Sequence, residues 1–156
     1  MVISYFHSSK TFYQGVDRMD ISENGLTWDI YDSLRKYANM QQYQKEDIIE
    51  ALKNTLYSVV IYDNKIPIAI GRVVGDGRIA FFIKDVVVHP SYRNKHIGSM
   101  VVDNLLDYIE SCCCKHPYIG LMAMPDTESF YERFGFIIRP NESFGAGMIC
   151  LERRKR

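Results

Sequence analysis

Residues Asp85–Gly98 combine the residue types and the spacing of an anion-binding site. Their sequence, DVVVHPSYRNKHIG, runs from an apolar strand through a basic loop into the start of a helix. The first N–H groups of a helix have no partner within the helix, and they lie at the positive end of its dipole. Arg93, Lys95 and His96 add side-chain donors there, and Gly98 lets the backbone approach a ligand closely. The pattern predicts a site for a phosphorylated ligand.

The composition limits the classes of protein to which the chain can belong. It has 156 residues, 47% of them hydrophobic and 24% charged, with a formal net charge of zero. That length suits one domain with a sizeable core, and we predict a single domain over residues 1–156. The apolar runs are far shorter than the ~20 residues that cross a bilayer, and the N-terminus lacks the features of a signal peptide. We therefore expect a cytoplasmic protein that binds neither nucleic acid nor membrane.

The cysteines predict free thiols. Cys112, Cys113 and Cys114 are consecutive, and Cys150 is alone in the sequence. Neither arrangement has the spacing of a CxxC pair or of a set of metal ligands, so we expect no metal site.

The elements that position the anion site follow from the apolar periodicity. Thr27 is expected to cap a helix that runs to about Ala38, whereas His7–Leu26 shows no clear period. The other predicted helices are Lys45–Leu56, Ile97–Cys112 and Glu128–Phe134. The predicted strands are Val2–Phe6, Tyr57–Tyr62, Ile66–Val74, Ile79–Val88, Tyr118–Met124, Phe136–Ile138 and Met148–Leu151. This order predicts an α/β (α+β) fold whose mixed, mostly antiparallel sheet of about six to seven strands has helices on both faces.

Three strands joined by tight turns, from Tyr57 to Val88, predict an antiparallel meander. The long crossover through the helix Ile97–Cys112 permits parallel pairing of the next strand. That strand, Tyr118–Met124, is continuously apolar, which predicts burial on both faces.

Two segments resemble the GNAT superfamily of N-acyltransferases. The stretch VVVHPSYRNKHIGS is similar to its acetyl-CoA-binding motif, in which a valine-rich strand leads through Q/R-x-x-G-x-G/A into a helix. Arg93 stands at the Q/R position and Gly98 at the second glycine, while His96 replaces the first glycine. The segment Phe130–Phe136 (FYERFGF) resembles a later helix-to-strand segment of the family. The resemblance covers roughly residues 57–151 and implies a GNAT-fold core there, with residues 1–56 as a lid on the acceptor side.

The resemblance implies an N-acetyltransferase that uses acetyl-CoA as co-substrate and passes the acetyl group directly to an amine. The valine strand would pair with the pantetheine arm, and the amide of Val87 or Val88 would polarise the thioester carbonyl. The strand that matches Tyr118–Met124 would splay away to leave room for the thioester. The implied coenzyme A contacts are Val86, Val87, Val88, Arg93, Asn94, Lys95, His96, Ile97, Gly98, Ser99 and Tyr131.

The resemblance also implies that Tyr131 is the general acid, which donates its phenol proton to the coenzyme A sulfur; the alternative is a packed aromatic side chain. Asp85 and Asp126 are the candidate bases. His89, His116 and a water relay to solvent are further alternatives for the base.

The acceptor is expected to be the primary amine of a small molecule, for example an aryl or alkyl amine or a polyamine. Trp28, Tyr31 and Met148 are the candidate acceptor contacts. Two other functions stay open: a coenzyme A-binding sensor or partner-binding module without catalysis, and an acetyltransferase acting on peptide or protein amines. The sequence leaves the oligomeric state open, with a homodimer as one alternative.

Overall fold

A computed structural model describes residues 19–150 of the chain, so the predicted strand Val2–Phe6 and residue Leu151 lie outside the described residues. The described residues form two compact units, one ending at Leu121 and the other beginning at Met122. The first unit contains β1 (Met19–Glu23), α1 (Trp28–Tyr37), α2 (Lys45–Lys53), β2 (Tyr57–Asp63), β3 (Ile66–Gly75), β4 (Ala80–Val88), α3 (Ile97–Cys112) and β5 (Tyr118–Gly120). The second contains α4 (Glu128–Glu132).

One five-stranded sheet, in the order β1-β2-β3-β4-β5, organises the first unit. Neighbouring strands from β1 to β4 pair antiparallel, and β5 pairs parallel to β4. The mixed sheet and the meander β2-β3-β4 confirm the predicted fold class; residues 19–150 contain five strands, against the six to seven predicted for the whole chain. Strand β1 falls within His7–Leu26, for which no element was predicted, because only Ile21 of its five residues is buried and so no local period marks it.

Helices cover both faces of this sheet, as predicted. On one face, Leu34 of α1 and Ile48 of α2 form a core cluster with Val60, Ile70 and Val87 of the sheet. Residue Gly71 points to the other face, since successive residues of a strand alternate.

Helix α3 packs on that second face. The space beside Gly71 is filled by Val101 and Leu105 of α3, both fully buried. The sequence bounds of this helix, Ile97–Cys112, are those predicted. No helix among residues 19–150 is both long and apolar enough to cross a membrane.

Several predicted elements are shorter in the structure or are not formed. Strand β5 ends at Gly120, and its first residue, Tyr118, is 58% exposed, so the expectation of burial on both faces is wrong. Phe136–Ile138 and residues 148–150 do not adopt strand structure. A strand requires a hydrogen-bonded neighbour, and apolar sequence does not supply one. Helices α2 and α4 end earlier than predicted, at Lys53 and Glu132.

The contact between Gly71 and α3 generates a prediction. A Cβ at Gly71 would lie 2.5 Å from Val101 Cγ1 and 2.9 Å from Leu105 Cδ1. We expect Gly71→Ala to lower the free energy of unfolding by about 1–3 kcal/mol through overpacking. The change is measured by urea denaturation. Gly145→Ala is the control, because a Cβ there has nothing within 4 Å; equal effects of the two substitutions would contradict the packing account.

Candidate functional site

The strand that leads into the basic loop contains a β-bulge. The register between β3 and β4 shifts between Ile70 and Arg72. Two consecutive residues of β4, Asp85 and Val86, therefore lie opposite the single residue Gly71. Asp85 has φ +55°, in the left-handed region that aspartate tolerates better than most residues.

The bulge reverses the alternation of side chains along β4: residues of the same parity point to one face of the sheet before the bulge and to the other face after it. Ile83 pairs with Val73, and Val87 pairs with Ile70. Because Ile70 and Val73 are three residues apart, they point to opposite faces of the sheet. Ile83 and Val87 thus also point to opposite faces, although a spacing of four would place them on the same face of a regular strand.

The bulge also decides which backbone amides of β4 point away from β3. The N–H of His89 donates to the carbonyl oxygen of Ile68 at 2.8 Å. In an antiparallel ladder alternate residues bond to the neighbouring strand. The amide of Val87 consequently faces β3, while the amides of Val86 and Val88 face the opposite edge.

The first half of β4 has the reverse alternation. The carbonyl oxygen of Ala80 accepts the N–H of Asp76 at 3.1 Å, so even-numbered residues bond to β3 there. Without the bulge this alternation would continue, and the amide of Val87 would face the outer edge. Of the two amides expected to polarise a thioester carbonyl, those of Val87 and Val88, that of Val88 faces the outer edge in this ladder.

The outer edge of β4 is open beside these amides. Strand β5 pairs with β4 only over Ala80–Phe82. In the described part of the chain, no strand continues this pairing along Ile83–Val88. Beyond Phe82, the outer edge of β4 therefore offers backbone donors and acceptors to an extended ligand.

A basic loop connects this edge to α3. Arg93 and Lys95 are exposed in the loop. The first helical hydrogen bond of α3 runs from the N–H of Met100 to the carbonyl oxygen of His96, at 3.1 Å. The three preceding amides, those of residues 97–99, lie outside the helical ladder and at the positive end of the helix dipole. This is the geometry predicted for an anion site.

His96 shows how a histidine can occupy a position where the GNAT motif has glycine. Its φ is +61°, in the left-handed region that glycine adopts most readily. Histidine is among the residue types enriched in this region. Asn94 also has a positive φ, of +60°. The backbone of the loop thereby has the conformation that glycine would favour, and the exposed imidazole makes no capping hydrogen bond to α3.

A buried ionic cluster surrounds the bulge. The side chain of Asp85 is 2% exposed. Its Oδ1 accepts a hydrogen bond from Nη1 of Arg35. Its Oδ2 accepts from Nε of Arg72 at 2.6 Å and from the hydroxyl of Tyr31 at 3.2 Å. Helix α1 thus binds both carboxylate oxygens, through Arg35 and Tyr31, and strand β3 binds Oδ2 through Arg72.

This cluster contains two of the predicted site residues. Asp85, a candidate base, is enclosed by two guanidinium groups. Tyr31, a candidate acceptor contact, is 4% exposed and bonded to Asp85, so it packs within the cluster. Burial and the Asp85 charge raise the pKa of Tyr31 to about 12, which keeps its hydroxyl a donor.

Arg35 and Arg72 are the residues of this region that the sequence prediction missed. Each had a signal: Arg35 follows the buried Leu34 on α1, and Arg72 interrupts an apolar strand between Gly71 and Val73. A charged side chain at such a position is buried only if it is paired. The position of each arginine therefore indicates that it has a carboxylate partner, but does not identify which aspartate or glutamate that is.

The other candidate bases have different surroundings. Asp126 is exposed in a turn, with φ +66°. Thr127, not Asp126, occupies the N-cap position of α4. His89 follows β4 and its Nδ1 accepts the N–H of Ser91 at 3.3 Å, and His116 is exposed in the loop before β5.

Tyr131 lies on α4, in the second unit. Its ring makes edge-to-face contacts with Phe130 and Phe136, with centroid distances of 4.9 and 6.1 Å. Burial raises the pKa of its phenol above the ordinary value of 10.0. The side chain is therefore a protonated phenol at neutral pH, as a general acid must be. Met148, also in this unit, is 89% exposed.

Exposed aromatic side chains mark the helices of the first unit. Trp28 is exposed, and the ammonium group of Lys45 lies 4.2 Å from its ring centroid. Tyr37, at the end of α1, contacts the imidazole of His89 at a centroid distance of 4.4 Å. This second contact places an exposed ring of α1 beside the end of β4.

Across residues 19–150, no three His, Cys, Asp or Glu side chains are grouped to hold a metal ion.

Comparisons with known proteins agree with this geometry. The family model described as acetyltransferase (GNAT) domain matches residues 54–138. The chain is 29% identical over 136 residues to GCN5-related N-acetyltransferase 1, chloroplastic, of Arabidopsis thaliana, covering 85% of this chain and 67% of that protein.

Two solved structures are similar in fold. A probable acetyltransferase from meticillin-resistant Staphylococcus aureus has a TM-score of 0.77 and 30% identity, covering 86% of this chain and 99% of that one. A GNAT-family acetyltransferase from Streptococcus pneumoniae has a TM-score of 0.73 and 25% identity, covering 87% and 99%.

The raised pKa of Tyr31 generates a prediction about alkaline stability. Its folded-state value of about 12 lies above its ordinary value of 10.0. The resulting stabilisation is complete below pH 10 and should be lost as the pH rises to 12, by about 2 kcal/mol. Tyr31→Phe should remove this part of the pH dependence.

The test is urea unfolding of the wild type and Tyr31→Phe at several alkaline pH values. Tyr43→Phe, which removes the hydroxyl of an exposed tyrosine, is the control and should keep the wild-type slope. The same slope in wild type and Tyr31→Phe would contradict the assignment.

Proposed function

This chain belongs to the GNAT family of acetyltransferases, and on that premise we propose that it transfers the acetyl group of acetyl-CoA to a primary amine of a small molecule. The family supports acyl transfer in general. The open strand edge and the basic loop favour acetyl-CoA as the donor, and the exposed aromatic side chains favour a small amine as the acceptor.

The observation that carries the proposal is the open edge of β4 at Ile83–Val88, continuous with the basic loop and the start of α3. Coenzyme A has a peptide-like arm with a diphosphate at one end and a thioester at the other. An exposed strand edge suits the arm, because it offers backbone hydrogen bonds. A helix N-terminus flanked by Arg93 and Lys95 suits the diphosphate.

In the proposed reaction, acetyl-CoA supplies the acetyl group as an activated thioester. The amide of Val88 donates a hydrogen bond to the thioester carbonyl oxygen, where negative charge develops. Such a donor is typically worth on the order of 10²–10³ in rate. The amine nitrogen forms a bond to the carbonyl carbon while the bond from that carbon to sulfur breaks.

Two proton transfers complete this scheme. Tyr131 donates its phenol proton to the leaving sulfur, and its raised pKa keeps that proton in place at neutral pH before the transfer. The resulting phenolate regains a proton from solvent. The attacking amine loses a proton to a water molecule that passes it to solvent. We prefer this water relay to Asp85, whose carboxylate is buried between two arginines; Asp126, which is exposed, is the alternative base.

An amine of a small organic molecule suits the acceptor side better than a polyanion. The exposed rings of Trp28 and Tyr37 lie on α1, and Tyr37 contacts His89 directly after the donor strand. The face of Trp28 already accommodates an ammonium group, that of Lys45. Aromatic faces attract organic cations through their quadrupole.

A thiol-release screen tests the proposed function. Acetyl-CoA is incubated with the protein and with polyamines, arylalkylamines, aminoglycosides, amino acids or peptides, and free coenzyme A is measured. We expect release that depends on a small amine. Release with peptides alone would favour a protein acetyltransferase, and binding of acetyl-CoA without release would favour a sensor.

Tyr131→Phe should lower kcat by about 10²–10⁴, because the leaving sulfur loses its proton donor. The dissociation constant for acetyl-CoA should change little, since only a hydroxyl is removed. Steady-state kinetics and calorimetric titration measure the two quantities. Tyr108→Phe is the matched control, because burial raises the pKa of Tyr108 as well. Turnover equal to that of the control would remove Tyr131 from the acid role.

Arg93→Ala should weaken acetyl-CoA binding by about 10-fold, or ~1.4 kcal/mol, through loss of a charged hydrogen-bond donor to the diphosphate. The difference from wild type should shrink at high salt because the charge is exposed. Titrations at low and high ionic strength measure it. Lys53→Ala removes an exposed charge on α2 and is the control; an affinity for Arg93→Ala as high as that of the control would rule out the diphosphate contact.

A further inference from the structure

We propose that Asp85 is a positioning residue for acyl transfer: held by Arg35 and Arg72, its carboxylate maintains the bulge that turns the amides of Val86 and Val88 toward the open edge of β4. This inference rests on the proposed function, because the open edge matters for catalysis only if the thioester lies along it.

The chemistry of the cluster favours a geometric role. A buried ion pair adds little net stability compared with apolar side chains of the same volume, since both charges must be desolvated. It does impose direction, because guanidinium and carboxylate groups bond only in certain relative orientations. Oδ1 of Asp85 is bound from α1 by Arg35, and Oδ2 from β3 by Arg72. The orientation of the bulge is therefore set from two separate elements.

The two arginines are themselves held in place. Nη2 of Arg35 donates to the carbonyl oxygen of Gln41 at 2.7 Å. Nη1 of Arg72 donates to Oγ1 of Thr55 at 3.1 Å. Among residues 19–150, no buried side-chain nitrogen or oxygen atom lacks a hydrogen-bond partner. A fully bonded cluster resists the small rotations that would otherwise let a bulge migrate along a strand.

Helix α1 holds the final segment of β4 at both ends. Tyr31 and Arg35 contact Asp85 at the bulge, and Tyr37 contacts His89 directly after the strand. The segment Val86–Val88 lies between these two contacts. The helix that carries the exposed aromatic side chains of the proposed acceptor side is thereby attached to the strand that would hold the donor.

A consequence can be measured at the backbone. If the bulge sets the alternation of the amides, the amide of Val87 is protected from hydrogen exchange by its bond to β3, whereas those of Val86 and Val88 exchange quickly. Saturating acetyl-CoA should slow exchange at Val88 by at least about 10-fold, because the bound thioester would accept the hydrogen bond of this amide and only the ligand-free fraction would then exchange. This pattern does not depend on turnover.

The primary variant is Asp85→Asn. Asparagine has nearly the same size and also tolerates a left-handed φ, so the substitution removes the charge while retaining the shape. We expect the exchange protection of Val87 to fall toward that of its neighbours. We expect kcat to fall by about 10- to 100-fold through misplacement of the amides, with KM for acetyl-CoA within about twofold, because the diphosphate contacts of the loop are untouched. These kinetics use, as acceptor, the amine that gives the highest thiol release in the screen with the wild type.

A second pair of variants keeps the test decisive if Asp85→Asn does not fold. Tyr31→Phe removes one hydroxyl bond to Asp85 and retains both ion pairs. Tyr57→Phe is its matched control, a tyrosine of β2 that is 6% exposed against 4% for Tyr31. Tyr31→Phe should lower kcat by about threefold or more relative to Tyr57→Phe, at the same KM, as expected for partial misplacement.

The outcomes separate the two claims. If the wild type neither binds coenzyme A nor releases thiol, the proposed function fails and the positioning role fails with it, while the exchange pattern of the free protein still reports on the bulge. If the wild type is active but folded Asp85→Asn retains its kcat, or Tyr31→Phe equals Tyr57→Phe, only the positioning role is overturned. Fast exchange at Val87 in the free wild type would also overturn it.

Discussion

The ion pairs of Asp85 with Arg35 and Arg72 are the interaction on which the shape of β4 depends. A carboxylate in this position must be paired, because an isolated buried charge is far more costly than a bonded one. Its two partners, Arg35 and Arg72, come from α1 and β3. Pairing the Asp85 carboxylate with them therefore brings a helix, a central strand and the bulge together. The exchange of faces along β4, and the alternation of its amides, both follow from that arrangement.

The opposite face of the sheet complements the bulge. Gly71 lies across from it and has no side chain, so α3 approaches closely through Val101 and Leu105. The ionic cluster lies on the α1 face and the close helix contact on the α3 face of the same part of the sheet. Since α3 begins at the basic loop, the packing that seats the helix also sets where its unbonded amides lie relative to β4.

The bounds of α3 were predicted correctly from the sequence, because they follow from the apolar period of contiguous residues. Strand β1 was missed because its partner, β2, lies some forty residues away and only Ile21 is buried. The length of β5 was overestimated for the same reason: apolar residues can extend a strand only where a neighbour accepts their hydrogen bonds.

By itself the sequence determined the strand β4, the basic loop and the helix α3 that follows it, together with the family that they indicate, since helix starts and apolar periods are properties of contiguous residues. Only the tertiary structure decided what surrounds Asp85. Its partners Arg35 and Arg72 are 50 and 13 residues away along the chain, and nothing local identifies a bulge between Lys84 and Val87. A carboxylate acts as a base or as an anchor according to which charges and how much water surround it, and folding determines both.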